Sequence, residues 1–191
     1  MVPKPVAFLV KAGTLKRDPT GEVILDARSS VTLMVSGEEK ILVDTGLRGE
    51  EALILSSLAK LGLWPEDISM VINTHHHPDH DGNNYIFKNA EVLGIENSKM
   101  GEKVAPGISI IETPGHTHDS ISAVCRSDSI VVACGDALPT LGNFIKWVPP
   151  RINVDRDLAL ASMSRIADIA NIVIPGHDRP FSVKDRDYTT L

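Results

Sequence analysis

The sequence predicts a mixed α/β (α+β) fold in which helices cover sheets. Three observations carry this. Short β-branched apolar runs dominate the first half, two segments with helical periodicity are set among the strands, and aromatics are only 4% of a chain that is 42% hydrophobic. The core is therefore aliphatic, built of Val, Ile, Leu and Ala. With 191 residues, no internal repeat and no linker-like stretch, the chain reads as one domain spanning 1–191.

In chain order, residues 6–11, 22–28 and 31–35 read as strands. Ser36-Gly37-Glu38-Glu39 is a turn into a further strand, 40–43, which ends at Asp44-Thr45-Gly46. Segment 50–61 places Leu55, Leu58 and Leu61 on a helical repeat, with acidic residues in its first turn and Gly62 beyond its end. Residues 68–73 form a strand that runs straight into a histidine cluster. A helical turn from Gly82 is followed by strands at 90–95, 108–112, 121–125 and 129–133. Segment 138–154 has no period and holds Pro139, Pro149 and Pro150, so it reads as a long irregular loop. Segment 157–170 carries an aliphatic helical face through Leu160, Met163, Ile166, Ala167 and Ala170, and a last strand, 171–174, leads to Pro175-Gly176-His177.

The net charge of −6 weighs against a dedicated nucleic-acid binder. Cys125 and Cys134 are too few for a disulfide framework, read as small packed groups, and fit a reducing cytoplasm. No stretch approaches the ~18 apolar residues of a membrane span. A cytoplasmic protein with no membrane partner is the expectation.

The histidines carry the chemistry. All seven fall in three clusters: His75, His76, His77 and His80; His116 and His118; and His177. Histidines used for packing would scatter. In an extended segment, residues two apart share a face, so His75 and His77 can hold one ion. Pro78 then redirects the backbone, which lets Asp79 and His80 face a second, while His76 points away. Thr113-Pro114-Gly115-His116, Cys134-Gly135-Asp136 and Pro175-Gly176-His177 each set one further ligand type just past a strand. Asp136 has two oxygens, so it can bridge two ions, as two-metal hydrolytic sites require.

These motifs, in this order from Leu42 to Phe181, resemble those of the metallo-β-lactamase-fold superfamily: Val43-Asp44-Thr45-Gly46, Thr74-His75-x-His77-x-Asp79-His80-x-Gly82-Asn83, Thr113-Pro114-Gly115-His116-Thr117, Gly135-Asp136 and Pro175-Gly176-His177. The ending Pro175-Gly176-His177-x-x-Pro180-Phe181 is similar to that of the small single-domain metallo-β-lactamase domain-containing proteins. The resemblance implies a four-layer αβ/βα sandwich with metals at one edge. It implies that His75, His77 and His116 bind one metal, that Asp79, His80 and His177 bind the other, and that Asp136 bridges them. Asp79 would also orient the attacking hydroxide, and Asp44 would orient a ligand from behind. Two divalent ions are expected, zinc first, with iron or manganese as the other candidates.

The implied activity is hydrolysis of a small ester, thioester or lactone by a metal-bridging hydroxide. The resemblance disfavours β-lactams, because the common di-zinc lactamases carry a cysteine at the position of Asp136. The fourteen residues after His177 leave no room for the helical domain of glyoxalase II. Two alternatives belong to other classes: a small ribonuclease or phosphodiesterase, with Lys146, Arg151 and Arg156 near the mouth, and a mononuclear-iron sulfur dioxygenase. The expected partner is a small-molecule substrate, with nucleic acid second and a second copy of the chain compatible. Phe144 and Trp147 are expected as a substrate lid or dimer contact rather than core. His118 either lines the pocket or faces solvent.

Overall fold

The structure, a computed structural model, describes residues 4–94 and 103–190. The chain begins with β1 (Val6–Lys11), a hairpin of β2 (Thr14–Arg17) and β3 (Ile24–Arg28), then β4 (Val31–Ser36) and β5 (Glu39–Val43). Helix α1 (Glu51–Lys60) precedes β6 (Met70–Ile72), the short α2 (Pro78–Asp81) and β7 (Glu91–Leu93). The second half holds β8 (Lys103–Ala105), β9 (Ile108–Glu112), β10 (Ile121–Arg126), β11 (Ile130–Gly135), α3 (Leu141–Lys146), α4 (Arg156–Ile169), β12 (Ile172–Pro175), β13 (Phe181–Ser182) and β14 (Asp187–Tyr188).

Two main sheets result, ordered β1-β4-β5-β6-β7 and β14-β13-β12-β11-β10-β9-β8, with β2-β3 as a separate ribbon. Strand alternation sorts side chains into layers. On β5, Ile41 and Val43 face the other sheet while Leu42 faces α1 with Ile54 and Leu58. On β10 and β11, Ala123, Cys125, Val131 and Ala133 join the space between the sheets. Their neighbours Val124, Val132 and Cys134 face Met163 and Ile166 of α4. The order is helix, sheet, sheet, helix: an αβ/βα sandwich with three aliphatic layers. Among the described residues no helix is long and apolar enough to cross a membrane.

The departures from the sequence reading have local causes. Residues 14–17 form a strand whose alternation is too short to register, and 22–28 starts only at Ile24. Helix α1 buries Ile54 and Leu58, while Leu61 sits at its C-cap and is exposed. The helical turn starts at Pro78, ahead of Gly82, because proline suits the first helical position. The expected strand at 90–95 spans Glu91–Leu93, and Ile95 lies outside the described residues. Within the expected irregular loop, Thr140 caps α3 by accepting from the Asn143 N–H. That helix is only six residues long, too short to show a period.

Candidate metal centre

Each polar cluster follows the C-terminal end of a strand: β6 leads to His75 and His77, β9 to His116, β11 to Asp136 and β12 to His177. Asp79 and His80 ride on α2, where Pro78 turns the chain and the His80 N–H donates to the His77 carbonyl at 2.8 Å. Ligating atoms of three sets each lie within 4.8 Å of one another: His75, His77 and His116; His75, His80 and Asp136; and Asp79, His80 and His177. Seven side chains thus meet where the two sheets end.

The geometry divides around Asp136. One oxygen, Oδ1, lies 3.1 Å from His177 Nε2 and 3.5 Å from His80 Nε2. The other, Oδ2, lies 3.5 Å from His116 Nε2. On that second side His77 Nδ1 stands 3.0 Å from His75 Nε2 and 3.2 Å from His116 Nε2. On the first, Asp79 Oδ2 is 3.5 Å from His177 Nε2 and 3.8 Å from His80 Nε2. One carboxylate therefore faces both histidine groups. Its close approach to the next strand needs glycine, since a Cβ on Gly176 would run into Asp136 Oδ1.

Atoms behind the site fix the imidazole tautomers. His80 Nδ1 donates to Asp44 Oδ2 at 2.8 Å, His116 Nδ1 to the Ile152 carbonyl at 2.7 Å, and His177 Nδ1 to the Arg28 carbonyl at 3.0 Å. Thr74 gives its hydroxyl proton to Asp44 Oδ2 at 2.8 Å, so its oxygen accepts from His75 Nδ1 at 3.2 Å. All four rings then direct Nε2 inward, where it is free to bind a cation once deprotonated. Asp44 also accepts the Thr74 backbone N–H at 2.8 Å, which ties β5 to the histidine loop.

The electrostatics suit cations. Burial, reinforced by the neighbouring His80, holds His75 far below the usual imidazole range, neutral as a ligand must be. Burial also lowers His77, with His116 adding to it. Burial works against a charged His80 too, but Asp44 and Asp136 outweigh it and push the ring well up. Burial opposes a charged Asp136, yet His177 and His80 hold its carboxyl well below the carboxylate range. Positive charge is thus favoured at the Nε2 atoms around Asp136. Two buried atoms there, His80 Nε2 and Asp136 Oδ1, make no hydrogen bond. Orphaned buried donors and acceptors are costly, and a cation between them would satisfy both. With five imidazoles, two carboxylates and no thiolate, the donor set fits divalent ions that accept nitrogen and oxygen.

The site opens into a cleft of about 390 Å³. His77, Asp79, His116, Asp136 and His177 form its floor, and segment 138–154 and the β2–β3 hairpin form its walls. The lid residues expected from the sequence are not among its lining. Phe144 is 6% exposed and packs on Phe181 with ring centroids 5.2 Å apart, because α3 turns its apolar face inward. Trp147 is 45% exposed, ends α3 in the left-handed conformation, and touches Phe144 edge-on outside the cleft. It is neither lid nor core. Val148 and Ile152 line the cleft from that segment instead. His76 is exposed and pairs with Asp81 at 3.2 Å, and His118 is exposed away from the cleft. Lys146 and Arg151 are at the cleft, whereas Arg156 opens α4 outside it. The hairpin residues Leu15, Arg17 and Ile24 also line it, a contribution that sequence reasoning missed. Only Ile24 had a signal, the β-branched run after Gly21.

Comparison with known proteins adds a lineage. A family model described as the metallo-β-lactamase superfamily matches residues 26–106. A probable metallo-hydrolase of Methanocaldococcus jannaschii is 44% identical, covering 72% of this chain and 70% of that one. Metallo-β-lactamase domain-containing protein 1 of Xenopus laevis is 33% identical, covering 85% and 76%. An N-acyl homoserine lactonase of Bacillus cereus is 31% identical, covering 68% of this chain and 63% of the lactonase. Among solved structures, a quorum-quenching N-acyl homoserine lactone hydrolase superposes with a TM-score of 0.71 at 24% identity, covering 93% of each chain. At that identity the likeness shows the fold.

Proposed function

Because the chain belongs to the metallo-β-lactamase superfamily and is a metal-dependent hydrolase by that kinship, we propose that it holds two divalent ions, zinc first, and hydrolyses a small lactone, ester or thioester. The observation that carries this reading is the placement of Asp136, one oxygen toward each histidine group, on the floor of a small cleft. His75, His77 and His116 would hold one ion and Asp79, His80 and His177 the other, with Asp136 shared. The ions, when bound, would supply Lewis acidity and an activated water at neutral pH.

The chain's own residues do the rest. Asp79 lies on the cleft floor with Oδ2 near both His80 and His177; beside holding an ion, it would orient the attacking hydroxide by accepting its proton in a hydrogen bond. Asp44 and the Ile152 and Arg28 carbonyls keep the rings aimed, so little reorganisation is needed during reaction. Leu15, Ile24, Val148 and Ile152 give the cleft apolar walls that suit an acyl chain and exclude water. The lactonase relative supports a lactone among the three bond types. The complete second group, Asp79, His80 and His177, supports two-metal hydrolysis over a one-iron dioxygenase.

Metal analysis of the purified protein, followed by a panel of lactones, thioesters and single-stranded RNA, tests the reading. About two ions per chain and chelator-sensitive lactone or thioester hydrolysis are expected. One iron with oxygen consumption, or no metal after supplementation, would refute it.

A further inference from the structure

Three cations stand at the mouth of the cleft: Arg17 from β2, Lys146 at the end of α3, and Arg151 beyond it. The chain as a whole is acidic, at −6, yet among the described residues the only carboxylates lining the cleft are Asp79 and Asp136 on its floor. None of the three cations forms an ion pair among the described residues. Arg17 and Arg151 each donate to one backbone carbonyl, that of Gly21, at 3.4 and 2.7 Å. Lys146 makes no side-chain hydrogen bond among the described residues. These cations converge on one cleft mouth from two segments far apart in sequence, and the carboxylates that line the cleft lie on its floor, away from them. Between them and the floor the wall is apolar, through Leu15, Ile24, Val148 and Ile152. A ligand matching this layout has its reacting carbonyl at one end, a carbon skeleton in the middle and an anion at the other end.

We propose that the substrate is a small ester, thioester or lactone whose acyl chain carries an anionic terminus, a carboxylate or a phosphate, seated by Arg17, Lys146 and Arg151. This rests on the hydrolase reading and deepens it. Charge-assisted hydrogen bonds to such a terminus are the strong kind, and low-dielectric walls focus the field of the rim. Gly21 is the joint: one carbonyl accepts from both arginines and so locks the hairpin against segment 150–154 at the spacing the anion needs.

The test compares matched nitrophenyl esters of a medium-length dicarboxylic acid, one with the far carboxylate free and one with it capped as the methyl ester. A phosphate-terminated analogue forms a third arm that separates the two anions. The free acid or the phosphate should be preferred in kcat/KM by about tenfold or more, the effect of one charge-assisted contact. The preference should shrink with added salt. Lys146→Gln and Arg17→Gln should each reduce the preference ratio, chiefly through KM. Arg151→Gln is the less clean variant, because Arg151 also anchors the hairpin.

Calorimetric binding of the free dicarboxylate and of its mono-methyl ester to the metal-loaded chain gives the same comparison without turnover. It therefore decides the anion proposal even if no ester is cleaved, in which case the hydrolase reading alone fails. Equal affinity for capped and free ligands, or a ratio unmoved by Lys146→Gln, overturns the proposal. So does tighter binding of single-stranded RNA through the same three residues.

Discussion

Asp44 sits at φ 58°, a conformation that costs an L-residue roughly 1–2 kcal/mol and that Asp and Asn tolerate best. It is held there by what its carboxylate does, accepting from the Thr74 N–H, the Thr74 hydroxyl and His80 Nδ1. Asp44→Asn keeps the backbone preference but puts an amide where a doubly accepting oxygen is needed. Metal affinity should fall about 10–100-fold, read by competition titration with a chromogenic chelator; an unchanged affinity would show that His80 needs no carboxylate behind it. The role of Asp44 could be anticipated only through the resemblance that its Asp-Thr-Gly strand ending helps to carry. The partners of His116 and His177 could not, because they are backbone carbonyls of Ile152 and Arg28, which carry no residue signature. The cysteines offer a pH prediction. Burial pushes the Cys125 thiol up to about 11 from 9.0 and raises Cys134 further. A thiol whose folded pKa is raised stabilises fully below its unfolded value and loses that contribution as pH climbs through the folded one. Urea stability should therefore decline between pH 9 and about 11, less so in Cys125→Ala, and neither thiol should react with a thiol reagent at pH 8 in the native state.

At the scale of elements, α3 separates what the sequence could and could not say. Aromatics in a proline-bracketed, aperiodic segment beside a cleft are equally consistent with a lid, an interface and a core. The outcome turns on six residues of helix, whose i and i+3 positions, Leu141 and Phe144, face the apolar layer under α4. Nothing shorter than two turns registers as periodic, so that choice was not legible. It is now testable by stability. Phe144→Ala should cost about 3–5 kcal/mol, which for a chain of this size lowers Tm by roughly 6–20 °C. Trp147→Gly removes an exposed ring and relieves a left-handed φ of 52°. Calorimetry should place its Tm within a few degrees of the parent, since the relief of about 1–2 kcal/mol offsets the lost edge contact. A large drop for Trp147→Gly would mean the indole is covered, as it would be in a dimer. The β2–β3 hairpin makes the complementary point. Its first strand has one exposed cation, Lys16, and one half-buried one, Arg17, in four residues. Its second strand was legible in the β-branched run at 22–28, but the first strand, and the fact that the two border a cleft, were not.

Across the whole molecule, the sandwich and the site depend on the same closure. The residue pattern made legible that helices cover sheets and that each polar cluster lies just past a strand; the four-layer order was expected only through the resemblance. Sequence could not show how the two sheets register, since that depends on interdigitating Ile, Val and Ala between them. The candidate ligands straddle this junction: His75, His77, Asp79 and His80 follow β6 of one sheet, while His116, Asp136 and His177 follow strands of the other. Ions held there would join the sheets at one edge, beyond the reach of the hydrophobic layer. Binding only to the closed sandwich stabilises it by mass action, about 2.7 kcal/mol at a free metal concentration 100 times Kd. Zinc added to chelator-treated protein should thus raise Tm by roughly 5–11 °C. Asp136→Ala should abolish most of that increment, because Asp136 is the side chain that faces both groups. His76→Ala, on the exposed side of the same loop, should retain it. A Tm indifferent to zinc in the parent chain would mean that the seven side chains do not bind the ion across the two sheets.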